Sequence, residues 1–218
     1  MHAIIIGASG LVGSHLLGQL LPNPYFNSLT ALVRKPLPVK NNKLKQVLVD
    51  FDHLPDYAEA FSGDVLFSAL GTTIGKAGSQ DNFFRVDATY QIEAARLAKS
   101  KGVQQHALVS ALGADAKSSI FYNRVKGETE AAITAMGFAT EIIVRPSILL
   151  GARNEKRNGE AVAQWVAKNL SFIFSGPLAK YKGVPAEIVA GAMIAAVQNQ
   201  YKGLHIVEND QLWATAKM

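Results

Sequence analysis

A short apolar strand that runs straight into three evenly spaced glycines constrains this chain more than any other feature. Residues 2–13 read His-Ala-Ile-Ile-Ile-Gly-Ala-Ser-Gly-Leu-Val-Gly. At a strand-to-helix corner each glycine has its own task. Gly7 permits the tight turn, and Gly10 lets the main chain approach a pyrophosphate where a Cβ would collide. Gly13 lets the following helix pack closely on the sheet. A helix that starts inside this segment points its unpaired N–H groups and positive dipole end at phosphates. Ser9, Leu11 and Val12, interleaved with the glycines, belong to the same cofactor-binding turn. Leu16, Leu17, Leu20 and Leu21 supply the apolar stripe of the helix. The pattern predicts a bound nucleotide; a merely tight turn is the plainer alternative.

The 218 residues suffice for one sizeable core and are short for two. The expectation is a single domain over 1–218, in which about 151–218 forms a small appendage on the substrate side. At 49% hydrophobic and 18% charged, the composition is that of a globular protein. The apolar run from Ile188 to Val197 is too short to span a bilayer. A strand starting at residue 2 leaves no room for a basic leader, so a cytoplasmic protein is expected. There is no cysteine, which excludes thiolate nucleophiles and disulfides. The five histidines fall in no metal-binding spacing. The net charge of +5 is modest, and the basic stretch from Arg34 to Lys45 carries no aromatic residue for stacking bases. The expected partner is a small-molecule substrate, without nucleic acid or a membrane span. A monomer and a homodimer are equally consistent with the sequence.

Apolar β-type runs alternate with helical patterns, which predicts a doubly wound, three-layer α/β/α sheet of the Rossmann type. Strands are expected near Ala3–Ile6, Leu29–Val33, Lys45–Val49, Asp64–Ser68, Gln105–Ser110, Glu141–Val144 and Gly203–Val207. Helices are expected over Gly10–Leu21, Leu54–Phe61, Asn82–Lys101, Ser119–Met136, Gly159–Asn169 and Ala186–Gln198. The glycine-containing stretch from Gly71 to Gln80 reads as a mobile strip over a site or as a plain crossover. Trp165, Phe172 and Phe174 either close an apolar pocket or pack the C-terminal helix on the core.

A second signal is Tyr122-x-x-x-Lys126, which places a phenol and an ammonium on one helix face. A cation beside a tyrosine favours the phenolate, so such a phenol can exchange a proton with a carbonyl or an alcohol near neutral pH. The helix follows the fifth expected strand, which ends at Ser110. Ligands sit at strand C-termini in a doubly wound sheet, so Ser110 could hydrogen-bond the same substrate oxygen. A surface tyrosine beside a solvated lysine, with a serine closing the strand, would give the same spacing.

In this order, Gly7-x-x-Gly10-x-x-Gly13, Ser110 and Tyr122-x-x-x-Lys126 resemble the short-chain dehydrogenase/reductase superfamily in its extended and atypical branches. The segments 69–78, 110–115 and 144–151 are most similar to the atypical group of the HIV Tat-interacting protein. The resemblance implies Tyr122 as acid/base, Lys126 as its modulator and ribose contact, and Ser110 orienting the carbonyl. It also implies that Ala69, Leu70 and Gly71 line the cofactor, that the stretch from Pro146 to Ile148 lies near the nicotinamide, and that Asp50 lies near the adenine. One position departs from the extended pattern. Asp87 occupies the slot where an asparagine usually supports a proton relay.

The second strand ends in Arg34 and Lys35, where an NAD enzyme would carry an acid for the ribose 2′-hydroxyl. Arginine instead suits a 2′-phosphate, which predicts NADP over NAD. The sequence is thus read as an NADP-dependent oxidoreductase acting on a small carbonyl or alcohol. The rivals are an NADP(H)-binding regulator without turnover and a nucleotide-sugar epimerase or dehydratase.

Overall fold

The computed structural model describes residues 1–151 and 181–218. The helix expected over 159–169 and the aromatic residues Trp165, Phe172 and Phe174 lie outside the described residues. Among the described residues a parallel sheet of seven strands forms the centre. They are β1 (His2–Ile6), β2 (Ser28–Val33), β3 (Leu44–Leu48), β4 (Val65–Ser68), β5 (Gln105–Val109), β6 (Thr140–Arg145) and, after two short strands, β9 (Gly203–Glu208). Their order across the sheet is β3-β2-β1-β4-β5-β6-β9. The direction of winding reverses between β1 and β4, and this switch point is where such sheets open a crevice at their carboxyl edge.

β1 is buried on both faces because its neighbours and both helical layers cover it. Ile4 pairs with Thr30 on one side and Leu66 on the other. Alternate residues then feed two cores, as the period of two demands. Ala3 and Ile5 face α1 (Leu11–Leu20) and α6 (Ala186–Gln198), whereas Ile4 and Ile6 face α4 (Tyr90–Ser100). The described C-terminal stretch completes the same fold, with α6 packed beside α1 and β9 paired to β6 from Thr140–Gly203 to Arg145–Glu208. A small helix, α7 (Leu212–Thr215), closes the chain.

Several elements differ from their sequence expectations for local reasons. The helix expected from Leu54 begins at Phe51 and runs to Phe61 as 3₁₀ turns broken at His53 and Tyr57, capped by the Asp50 carboxylate and carrying Pro55. The helix expected over Asn82–Lys101 starts earlier, because the Ser79 hydroxyl caps the amide of Asn82 at 3.1 Å. It runs as α3 (Gln80–Phe84), a π turn (Arg85–Thr89) and then α4. The stretch from Gly71 to Gln80 contains a one-turn helix, α2 (Ile74–Ala77), capped by Thr73 and ended by Gly78 at φ +77°. The helix expected over Ser119–Met136 is α5 (Phe121–Thr134). A two-stranded pair, β7 (Leu149–Leu150) with β8 (Val184–Pro185), was not anticipated.

Candidate active site

The glycine turn fixes the centre of the site. Gly7 adopts φ +82°, and a Cβ there would collide with the main chain of Ala69 and Leu70. Gly7 and Gly13 therefore stand behind the turn as spacers that bring β1, β4 and α1 together. Gly10 is the N-cap of α1, and no side chain among the described residues caps this helix. Its leading N–H groups are left available to an anion.

Two cavities meet at this turn. One, of about 690 Å³, is lined by Ser9, Ser14, Arg34 and Lys35 with the following prolines. Neither cation is ion-paired to a described residue. The second, of about 840 Å³, opens over the carboxyl ends of β1, β4, β5 and β6. Gly10, Leu11 and Val12 form one side of it, and Ala69, Leu70 and Gly71 form its floor. Ser110, Tyr122, Lys126 and Ile148 complete the wall. The structure thus brings together residues from five separate parts of the chain.

Tight packing sets the side chains of this cleft. The segment after Ser110 crosses α5 at Gly127, where a Cβ would overlap the main chain of Asp115 and Ala116. That close approach places Ser110 on the same wall as Tyr122. The Tyr122 ring rests on the buried Phe83 at 5.5 Å between centroids. The Ser110 hydroxyl is buried and has no hydrogen-bond partner among the described residues. A buried hydroxyl left without a partner is costly, and a ligand oxygen in the cleft would satisfy it. With the uncapped helix end, this is the observation that fits a dinucleotide and its substrate to the residues present.

Lys126 is also buried, and its Nζ lies 2.7 Å from Oδ1 of Asp87. The other end of α5 is anchored by Glu130, whose carboxylate accepts two hydrogen bonds from Arg145, at 3.1 and 2.6 Å. Arg145 donates a third to Glu208 at 3.0 Å.

Two expected site residues are committed elsewhere. The Asp50 carboxylate accepts from the amide of Asp52 at 3.0 Å and pairs with the ring of His53 at 2.9 Å. The His53 hydrogen bond holds its carboxyl below the ordinary range, and Asp50 lines neither cavity. Its role is to cap the 3₁₀ helix. Pro146 is buried outside the cleft, with its carbonyl accepting from Leu112 at 2.9 Å. Its neighbours carry the wall instead.

Among the cleft residues that sequence reasoning did not assign, Thr72, Thr73 and Asp87 join from the β4 side, while Ser147, within the stretch expected near the nicotinamide, joins from the β6 side. Ser147 is held by Asn209, which accepts from its amide at 2.8 Å and donates to the Lys182 carbonyl at 2.9 Å. The wholly buried Asn209 ties the end of β9 to the segment carrying Ile148. No short motif marks such a long-range latch.

Residues 7–200 match the model of a family described as NAD(P)H-binding. The rat protein HTATIP2 is 38% identical over 94% of this chain and 85% of its own length. The Eremothecium gossypii protein "FMP52, mitochondrial" is 31% identical over all of this chain and 98% of its own. Among solved structures, MoeE5 in complex with UDP-glucose and NAD superposes with a TM-score of 0.72 at 16% identity, covering 100% of this chain and 81% of that one. A UDP-glucose 4-epimerase from Thermotoga maritima gives 0.71 at 15%, covering 100% and 82%. At such identities these likenesses establish the fold alone. The similarity to HTATIP2 bears out the resemblance read from the motifs. The expectation of a cytoplasmic protein is overturned, because the fungal relatives from Eremothecium gossypii, Aspergillus clavatus and Aspergillus niger are named mitochondrial.

Proposed function

The chain belongs to the NAD(P)H-binding family, and from that premise we propose that it is an NADP-dependent oxidoreductase of the short-chain type. Its substrate is a small carbonyl compound or the corresponding alcohol. The adenosine half of the cofactor lies in the cavity of Arg34 and Lys35, whose cations meet the 2′-phosphate. The leading N–H groups of α1 would hold the pyrophosphate, and the residues of the larger cleft would hold the nicotinamide half. The bound cofactor supplies the hydride.

Residues of this chain handle the proton. Tyr122 gives its phenolic proton to the substrate oxygen as negative charge gathers there, and takes it back in the reverse direction. The Ser110 hydroxyl donates to the same oxygen and steadies that charge. Lys126 contributes a fixed cation beside the phenol and a donor for the ribose. The observation that carries this reading is the buried, unpartnered Ser110 hydroxyl on the wall shared with Tyr122 and Lys126.

The test is to mix the protein with NADPH and a panel of aldehydes, ketones and quinones while following the reduced-nicotinamide absorbance. Turnover is expected. Tyr122→Phe should lower it by about 100-fold or more while NADPH binding stays intact. Turnover that survives this change would refute the assignment of Tyr122. Binding without turnover across the panel would instead favour an NADP(H)-dependent regulator.

A further inference from the structure

We propose that Asp87 is the positioning residue of this site, holding Lys126 and the segment after β4 in one fixed arrangement for the nicotinamide half of the cofactor. The inference rests on the cofactor reading above and adds a role at the slot where the resembled branch usually carries an asparagine.

Asp87 sits in the π turn between α3 and α4 and is 1% exposed. Both carboxylate oxygens are used. Oδ1 meets the Lys126 ammonium at 2.7 Å, and Oδ2 accepts from the amide of Thr72 at 2.8 Å. The same carboxylate therefore grips two walls of the cleft, because Thr72 and Lys126 both line it. Gly71 lies directly over the pair. A Cβ at Gly71 would come within 3.3 Å of Oδ1 and 3.9 Å of the Lys126 Nζ.

The main chain of Asp87 is equally committed. Its carbonyl accepts from the Gln91 side-chain amide at 2.9 Å and from the Thr129 hydroxyl at 3.1 Å. The Thr129 hydroxyl shares its one proton with the nearer Val125 carbonyl at 2.8 Å. The side chain of Asp87 has a separate task. A buried ammonium needs a counter-charge, and an amide would supply a hydrogen bond without one. Asp87 thus supplies that counter-charge at 2.7 Å from the buried Lys126.

The test compares two ligands on the full chain: NADPH, which spans both cavities, and adenosine 2′,5′-bisphosphate, which reaches only the one with Arg34. Asp87→Asn is expected to weaken NADPH about tenfold or more, the scale of one hydrogen bond to a charged group. The bisphosphate should bind within about twofold of wild type, which also reports that the variant is folded. Because Asp87 acts through Lys126, Asp87→Asn should cost much less in a Lys126→Met background than in the wild type. Equal weakening of both ligands would make Asp87 merely structural. Unchanged NADPH binding, or full additivity with Lys126→Met, would overturn the proposal. Failure of the wild-type chain to bind either ligand would instead remove the cofactor reading, and this inference with it. Turnover by the wild type bears on Tyr122 and not on this point.

Discussion

Gly13, in the first turn of α1, lies against the carbonyl of Gly7 so closely that a Cβ would fall inside its van der Waals surface. The contact sets the distance between the helix and β1, and with it the position of the amino-terminal N–H groups that face the cleft. Gly13→Ala should therefore act twice. Overpacking against main chain has no flexible side chain to absorb it, so a loss of about 1–3 kcal/mol is expected in denaturant unfolding. NADPH should also bind more weakly. A variant with wild-type stability and wild-type affinity would show that the turn accommodates a methyl group.

This turn was legible in the sequence because every level agreed there. Branched apolar residues, glycine spacing and the leucine stripe all pointed to one strand–turn–helix. The helix Ala186–Gln198 was legible to the residue for a similar reason, being bounded by Pro185 and carrying an almost unbroken apolar run. The π turn was not legible, because a single wide turn barely disturbs helical periodicity. Gly127 looks like an ordinary helix glycine until the main chain of Asp115 and Ala116 is seen crossing it. Asp87 stood out as a departure, but its partners Lys126 and Thr72 come from other elements. Asp50 was expected at the adenine, yet the nearby His53 and Asp52 amide claim its carboxylate. Side chains that answer to distant parts of the fold leave no local pattern to read.

Arg145 joins α5 to the sheet by its paired hydrogen bonds to Glu130 and its contact with Glu208. Arg145→Ala would leave the buried Glu130 carboxylate without its cation. Breaking one side of a buried pair costs more than a surface bridge, and partial exposure of the arginine moderates it, so about 2–3 kcal/mol is expected. The loss should show in thermal or denaturant unfolding. Because Tyr122 and Lys126 ride on the same helix, turnover should fall further than NADPH binding. A variant as stable as wild type would mean that the pair contributes nothing net.

Arg34 follows the last residue of β2 and lines the smaller cavity beside Ser9. If its guanidinium meets a 2′-phosphate, Arg34→Ala should weaken NADPH by about tenfold or more and leave NADH within about twofold. Titration of wild type and variant with both cofactors measures this directly. Equal affinity of the wild type for the two, unchanged in Arg34→Ala, would remove the case for NADP.

Glu141 gives a prediction that stands apart from the site. It lies on β6 opposite His106 of β5, is buried, and one of its carboxylate oxygens has no hydrogen-bond partner among the described residues. Burial raises its pKa to about 7, with Glu130 adding to the rise and a hydrogen bond from Thr134 opposing it. His106 is driven the other way, to about 3, also by burial, so its ring stays neutral beside Ser68 at 2.9 Å. The native state thus favours the protonated Glu141 carboxyl, whereas the unfolded chain ionises it near the ordinary glutamate value. Its stabilising share is complete below about pH 4 and is lost as pH rises toward and past 7. Glu141→Gln removes this proton linkage while keeping the shape. The variant should match wild type near pH 4 and exceed its stability by on the order of 2–3 kcal/mol at pH 8. His106 titrates in both proteins, so its opposite loss of stability below about pH 6.5 cancels in the difference. Denaturant unfolding of both proteins from pH 4 to 8 makes the measurement. A difference that stays flat across that range would show that Glu141 titrates as an ordinary surface carboxylate.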